Sequence, residues 1–331
     1  MLTDQSIIID SRVNGVYTMH RGVEEIMATN IIALNHVKKS FGRTQALKDV
    51  TFTLPAGQVL GFLGPNGAGK STTIRILLGM LKRDGGDATV FGEDPWHNDL
   101  AIHPRIAYIP GDVYLWPNLT GGEIIDLLLR LNGQDHNPKT DALMKAFEFD
   151  PKKKARAYSK GNRQKVALIA ALSQDAELYI FDEPTSGLDP LNELTFQQEV
   201  RKLKKAGKTV LLSSHILSEV EKMCDAIVII RDGAIIEQGN LDQLRHLSRL
   251  RIQVQTEQPL SALKQQTGVF DWHENDSHLQ ANFAVDHDAL TAVMNALTPL
   301  GIVDLQSTPP TLEDLFLHYY SDQGVSSHVT Q

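Results

Sequence analysis

Nine residues restrict the fold of this chain more than any others: GPNGAGKST, residues 64–72. They satisfy the spacing G-x-x-x-x-G-K-[ST], and their flanks suit it. An apolar run, VLGFL, enters the stretch as a strand would, and STTIRILLGM leaves it with helical spacing. Glycines here let backbone N–H groups turn inward around phosphate oxygens, which most side chains would obstruct. The N-terminus of the following helix adds partial positive charge. Lys70 can then reach the β and γ phosphates, and Ser71 can ligate magnesium. The spacing predicts a nucleotide phosphate site on an α/β fold.

The rest of the chain agrees with that class. Strand-like runs IIALNHVKKSF, DVTFTL and QVLGFLG precede the motif, and RIAYI, LYIF, TVLLSS and DAIVII follow it, alternating with helical patterns. Such alternation predicts a mainly parallel sheet covered on both faces. A mostly helical stretch, residues 112–175, interrupts it with GEIIDLLLRL, DALMKAFEF and RQKVALIAAL, which reads as an inserted helical subdomain. AIVIIRDGAIIEQG reads as a hairpin turning at Asp232-Gly233.

Beyond a short helix at LDQLRHL the rhythm changes. LRIQVQT reads as strand, PLSALKQQ as helix, VFDWH and LQANFAV as strands, HDALTAVMNAL as helix and GIVDLQS as strand. That order, βαββαβ, is the split-βαβ arrangement. PTLEDLFLHYY closes the chain as a helix with Pro310 near its start. Charge marks the same break. The net charge is −8, and residues 251–331 hold ten acidic but only two basic residues, so the whole excess lies there. The expected organisation is an extension over 1–28, an α/β unit over 29–240, and a small α+β unit over 241–331.

Several classes fall away. No face advertises a nucleic-acid binder by charge. The longest apolar run, Val166 to Leu172, is seven residues, against about 20 for a membrane span. The first residues lack the basic flank and apolar core of a secretion signal. Cys224 is the one cysteine, which excludes an intramolecular disulfide and fits a reducing compartment. The 12 histidines show no zinc-ligand spacing. A cytoplasmic location is expected.

A second chemical signal is LYIFDEPTSGLD, residues 178–189. Four apolar residues deliver Asp182 and Glu183 to the end of a buried strand. There Asp182 can hold Mg²⁺ through its hydration shell, and Glu183 can polarise a water for attack on the γ phosphate.

With both motifs in hand, residues 29–240 resemble the nucleotide-binding subunits of ATP-binding cassette (ABC) transporters. DEPTSGLDP matches that family's Walker B, catalytic glutamate and D-loop run, which places Asp189 at the nucleotide interface. SSH at 213–215 matches its switch histidine, His215, which in the family contacts the γ phosphate. KSFGRTQAL puts Phe41 where the family stacks an aromatic ring on adenine. The resemblance implies a P-loop NTPase cassette: a mainly parallel core, an antiparallel β subdomain and an inserted helical subdomain. ATP is held by Phe41 and by the loop Gly64, Pro65, Asn66, Gly67, Ala68, Gly69, Lys70, Ser71 and Thr72. Mg²⁺ is held by Ser71 and Asp182.

Two departures stand out. The family's LSGGQ signature becomes YSKGNRQ, with Ser159 as a helix cap, Lys160 in place of a glycine, and Gly161 retained. In the family this helix start closes on ATP held by a second subunit, so Ser159 and Gly161 are expected at the partner's nucleotide. In YIPGDVYLWPNL, the usual Gln or Glu after the YxP stretch is Gly111, and Asp112 follows as a substitute hard-oxygen ligand. Tyr114 and Trp116 read either as local packing or as part of a groove for a membrane subunit's coupling helix.

The resemblance implies an ATP-hydrolysing subunit that pairs as a homodimer, powers a separate membrane permease from the inner membrane face and belongs with exporters. PPTLEDLFLHYY resembles the last helix of drug and polysaccharide export subunits. Soluble cassette ATPases of DNA repair carry long coiled coils between the two motifs, and those of translation carry two cassettes. Neither is present here. A non-hydrolysing regulatory cassette is disfavoured by the intact Lys70, Asp182, Glu183 and His215. The acidic tail is left with three roles: dimerising, regulating or capping the cassette.

Overall fold

The computed structural model describes residues 30–241 and 249–308. Strands β1 (Asn30–Phe41) and β2 (Thr44–Pro55) pair antiparallel. β3 (Val59–Leu63) leads into the glycine-rich loop and helix α1 (Lys70–Leu77). β4 (Gly85–Val90) returns along the other edge of β1. Then come α2 (Asp99–Ile102) and β5 (Ile106–Ile109), followed by the helical insertion α3 (Gly121–Leu131), α4 (Pro138–Ala146) and α5 (Lys160–Ser173). β6 (Leu178–Asp182), α6 (Pro190–Lys205), β7 (Thr209–Ser214), α7 (Leu217–Met223), β8 (Ala226–Arg231) and β9 (Ala234–Asn240) complete a nine-stranded sheet, in the order β4-β1-β2-β9-β8-β3-β7-β6-β5.

Strands β8, β3, β7, β6 and β5 run parallel, and their composition follows from burial on both faces. Along β3, Val59 and Leu63 face one apolar cluster with the insertion and α6–α7, while Leu60 and Phe62 face another with α1 and β1–β2. β6 divides the same way, with Tyr179 and Phe181 on one side and Leu178 and Ile180 on the other. The predicted hairpin is present: Asp232 (φ 48°) and Gly233 (φ 77°) both take left-handed backbone between β8 and β9, as a type I′ turn requires.

Strand β4 went unforeseen because GGDATV has neither a β-branched run nor clear alternation. It forms because β1 presents a pairing edge, setting Val90 opposite Ile32 and Ala88 opposite Leu34, all four buried.

The second sheet holds β10 (Leu250–Thr256), β11 (Val269–Glu274), β12 (Gln280–Val285) and β13 (Ile302–Thr308) in the order β11-β12-β10-β13, all neighbours antiparallel. One buried face packs Ile252, Val254, Phe283 and Val285 against α8 (Leu290–Leu297) in an apolar cluster of its own. The expected first helix is corrected: PLSALKQQ forms only a 3₁₀ turn, Ser261–Gln265. Leu260 and Leu263 bury, but Gln265, Gln266 and Thr267 supply no apolar residue to anchor a further turn. The 1–28 extension, the LDQLRHL helix beyond Leu241 and the PTLEDLFLHYY helix lie outside the described residues.

Candidate active site

The glycine-rich loop leaves the C-terminal end of β3 and is wedged against its neighbours. A Cβ on Gly64 would fall 2.3 Å from the Ile230 carbonyl oxygen, and one on Gly69 (φ 115°) 2.6 Å from Leu47 Cδ2. The backbone therefore follows a path that side chains would block, as a phosphate cradle needs. Helix α1 starts at Gly69 with no side-chain cap and no acidic residue in its first turn. Its leading amides are thus free for an anion. Asn66, Gly67 and Ser71 are exposed, Pro65 and Thr72 half-buried, and Gly64 and Ala68 buried.

Lys70 is buried, with its ammonium 2.5 Å from the Gly64 carbonyl, 3.4 Å from that of Pro65 and 3.1 Å from Glu183 Oε1. Asp182 ends β6, buried, and accepts a hydrogen bond from Ser213 Oγ at 2.5 Å. Glu183 follows in left-handed backbone (φ 49°), a strained conformation for a residue with a side chain. Its amide donates to Ser213 Oγ (3.1 Å) and the Ser213 carbonyl (3.2 Å). Its Oε2 lies 2.6 Å from His215 Nδ1. Its Oε1 is buried without a hydrogen bond, having only the ion contact with Lys70. The fold thus brings Lys70, Asp182, Glu183 and His215 together at the ends of three adjacent parallel strands. A carboxylate oxygen whose one contact is the Lys70 ammonium can accept a proton from water once a phosphate draws that cation away, and Asp182 with Ser71 supplies the hard oxygens that suit Mg²⁺.

The remaining candidates are arranged around this centre. Phe41, at the end of β1, is 51% exposed with Lys39 Nζ 5.6 Å from its ring centroid, so a flat face is open to stacking. Asp189 caps α6, accepting from the amides of Leu191 (3.1 Å) and Asn192 (3.0 Å) and from Asn192 Nδ2 (2.5 Å). The Asn192 donors, the backbone amide first, hold its carboxyl below the usual range. The Asp189 carboxylate is therefore engaged within its own chain.

Ser159 caps α5, its hydroxyl accepting from the Asn162 amide at 3.3 Å. The start of α5 packs on the loop after β6. Lys160 Nζ donates to Ser186 Oγ at 2.7 Å, Gln164 Nε2 donates to the Pro184 carbonyl at 2.9 Å, and a Cβ on Gly161 would fall 2.4 Å from the Gly187 oxygen. Lys160 thus lies alongside the loop in place of the family glycine. Among the described residues, no hydrogen bond or ion pair joins Ser159 or Gly161 to the Lys70 loop of the same chain.

Gly111 faces Asp182: a Cβ there would sit 3.5 Å from Asp182 Oδ2. Asp112 instead lines a cavity of about 400 Å³ with Arg156, Lys160, Arg163 and Gln164. Next to it, a groove of about 390 Å³ is lined by Met80, Tyr108, Tyr114, Trp116, Leu128 and Leu131 among others. Tyr114 is 89% and Trp116 49% exposed, so these rings are only partly engaged in local packing. The basic run 152–160 is a largely solvated surface, and Cys224 is a buried helix end whose thiol burial pushes upward. Three contributors escaped sequence reasoning: Ser213, which orients both acids, and Thr185 and Glu219, which bond to each other. Ser213 and Thr185 lie inside matched motifs, but nothing in the string shows which way a hydroxyl donates.

A family model described as ABC transporter matches residues 47–186. The chain is 34% identical over 291 residues to an uncharacterized ABC transporter ATP-binding protein of Nostoc sp., covering 86% of this chain and 85% of that one. It is 32% identical over 310 residues to the daunorubicin resistance ATP-binding protein DrrA3 of Streptomyces coeruleorubidus, covering 89% and 98%. A solved ATP-binding subunit of an ABC transporter matches with a TM-score of 0.61 at 30% identity, over 66% of this chain and 92% of that one.

Proposed function

Since this chain belongs to the family of ABC transporter ATP-binding proteins, we propose that it hydrolyses ATP to drive export through a separate membrane permease. The observation that carries the hydrolytic reading is the contact chain Lys70–Glu183–His215, at 3.1 Å and 2.6 Å, on an uncapped glycine cradle. Phosphates entering the cradle meet the loop amides and the Lys70 ammonium, drawing that cation off Glu183. Glu183 Oε1 then accepts a proton from a water aimed at the γ phosphorus. The water oxygen bonds to phosphorus, the bond to the β–γ bridging oxygen breaks, and ADP and inorganic phosphate leave. His215 holds Glu183 Oε2 through Nδ1, which leaves Nε2 as its ring nitrogen for the γ phosphate. Ser71 and Asp182 would hold Mg²⁺, which neutralises phosphate charge when bound. Phe41 stacks on adenine.

Two copies close head to tail, with Ser159 and Gly161 of each completing the other's site. The absence of a bond from these residues to their own Lys70 loop suits that arrangement. Asp189 acts in the same interface by fixing the start of α6. The exposed rings of Tyr114 and Trp116, beside Met80 and Leu131, suit docking of a permease segment. In this reading the pore is supplied by a separate permease chain; among the described residues no helix is long and apolar enough to cross a membrane. The chain then sits peripherally on the inner membrane face. In this reading residues 29–240 are the cassette and 241–331 an accessory unit, whose described residues 252–305 hold an apolar cluster of their own. The export direction draws on the relative named for daunorubicin resistance.

The test is to tag the chain in its native cell, solubilise membranes in mild detergent and identify what co-purifies. A polytopic membrane protein near one-to-one stoichiometry is expected. Ribosomal or DNA-bound material without a membrane partner would overturn the transporter reading.

A further inference from the structure

We propose that Glu219 is a positioning residue that ties the Glu183 loop to the His215 loop and so sets the geometry of the hydrolytic pair without touching nucleotide. It lies on α7, four residues after His215, and is buried. One oxygen, Oε2, serves both loops: Thr185 Oγ1 donates to it at 2.9 Å, and Ser214 Oγ lies 3.4 Å away. Thr185 is two residues past Glu183, and Ser214 immediately precedes His215. Ser214 Oγ also accepts from the Ile216 amide at 2.9 Å, so the same hydroxyl shapes the turn on both sides of the histidine.

A buried carboxylate is costly unless hydrogen-bonded, so this placement needs a reason. Burial raises the Glu219 pKa, the neighbouring charges of Glu193 and Glu183 push the same way, and the Thr185 and Ser214 hydroxyls oppose them. What the contact achieves is local. Left-handed backbone at Glu183 persists only where its surroundings over-determine it. Ser213 holds the Glu183 amide on one side. Thr185, held by Glu219, fixes the chain on the other, where the Ser186 amide turns back to the Glu183 carbonyl at 3.2 Å. Glu219 therefore governs whether Glu183 Oε2 and His215 Nδ1 stay in contact.

This role rests on the hydrolytic reading above, and the experiment separates the two. The full-length chain is assayed for Mg²⁺-dependent phosphate release across ATP concentrations, with ATP binding measured separately. Glu219→Ala should lower kcat about tenfold or more while leaving ATP binding near wild type, because the loss is one of alignment. Glu219→Gln keeps an acceptor for Thr185 and should restore most of kcat. Thr185→Val removes the donor from the other side and should reproduce the loss, whereas Thr185→Ser should not. The Glu219→Ala/Thr185→Val double variant should lose little beyond either single change. If Glu219→Ala does not fold, the Thr185 pair decides.

A hydrolysing wild type whose Glu219→Ala and Thr185→Val variants keep full kcat overturns the positioning role alone. So does a kcat loss that merely tracks lost binding or lost folded protein. A wild type that binds ATP and never releases phosphate overturns the hydrolytic reading itself.

Discussion

The Lys70 ammonium lies 3.1 Å from Glu183 Oε1, so the loop cation and the strand-end carboxylate are direct ion partners. On the mechanism proposed above, an arriving phosphate competes with Glu183 for Lys70 and so frees the carboxylate for water. Glu183→Gln removes both the base and the competitor. It should slow turnover by ~100-fold or more while binding ATP at least as tightly as wild type. Phosphate release and equilibrium titration with ATP check the two halves. Hydrolysis near the wild-type rate would take Glu183 out of this role.

The parts legible in the sequence were those where backbone or apolar pattern alone does the specifying. The cradle of residues 64–72 needs missing side chains, and glycines record that directly. Strands β3 and β6 are buried on both faces, so the runs VLGFL and LYIF stand out as apolar stretches. The four-stranded sheet kept its order because inward and outward residues alternate along β10 and β12. What stayed hidden depended on partners far away in the chain. Strand β4 is strand because of the β1 edge. The Lys160 ammonium reaches Ser186, 26 positions on, and Glu219 bonds a threonine 34 positions earlier. Side-chain hydrogen bonds of this reach have no periodicity to betray them.

Adjacent residues at the start of α5 should respond in opposite ways to the same small change. A Cβ on Gly161 would meet the Gly187 carbonyl at 2.4 Å, and that oxygen is backbone. Gly161→Ala should therefore cost about 1–3 kcal/mol through forced backbone movement. Lys160 is exposed and gives up one surface hydrogen bond to Ser186. Lys160→Ala should stay within about 0.5 kcal/mol of wild type. Urea denaturation of the two variants decides, and equal midpoints would show that the loop yields freely.

Stability should carry a pH signature from the helical insertion. His136 lies 2.6 Å from Asp126 on α3 and 3.1 Å from Asp141 on α4. The Asp126 bond, then the Asp141 bond, raise its pKa above the usual histidine value. A raised folded-state pKa stabilises fully below the unfolded value, about 6.5, and the contribution disappears as pH climbs through the folded value. His136→Ala should therefore cost most near pH 5.5 and least near pH 8.5, about one unit below and two above that reference. The imidazole is partly exposed, so solvent screening keeps the difference to about 1 kcal/mol or less. Denaturation midpoints that shift equally at both pH values would remove the protonated bridge.

At Gly111 the family's usual amide or acid has gone, yet the space for it has not. A Cβ there would stand 3.5 Å from Asp182 Oδ2, an ordinary contact. The backbone there is not left-handed, so a side chain adds no conformational strain. Gly111→Gln should fold as wild type does and extend a hard oxygen toward the Asp182 carboxylate, where Mg²⁺ is expected to bind. Hydrolysis should be preserved or raised, and the Mg²⁺ concentration for half-maximal rate should fall. Titrating phosphate release with Mg²⁺ at fixed ATP measures both. A folded Gly111→Gln chain that binds ATP but no longer hydrolyses it would mean that the loop has been rebuilt around Asp112, with its open floor at Gly111 now required.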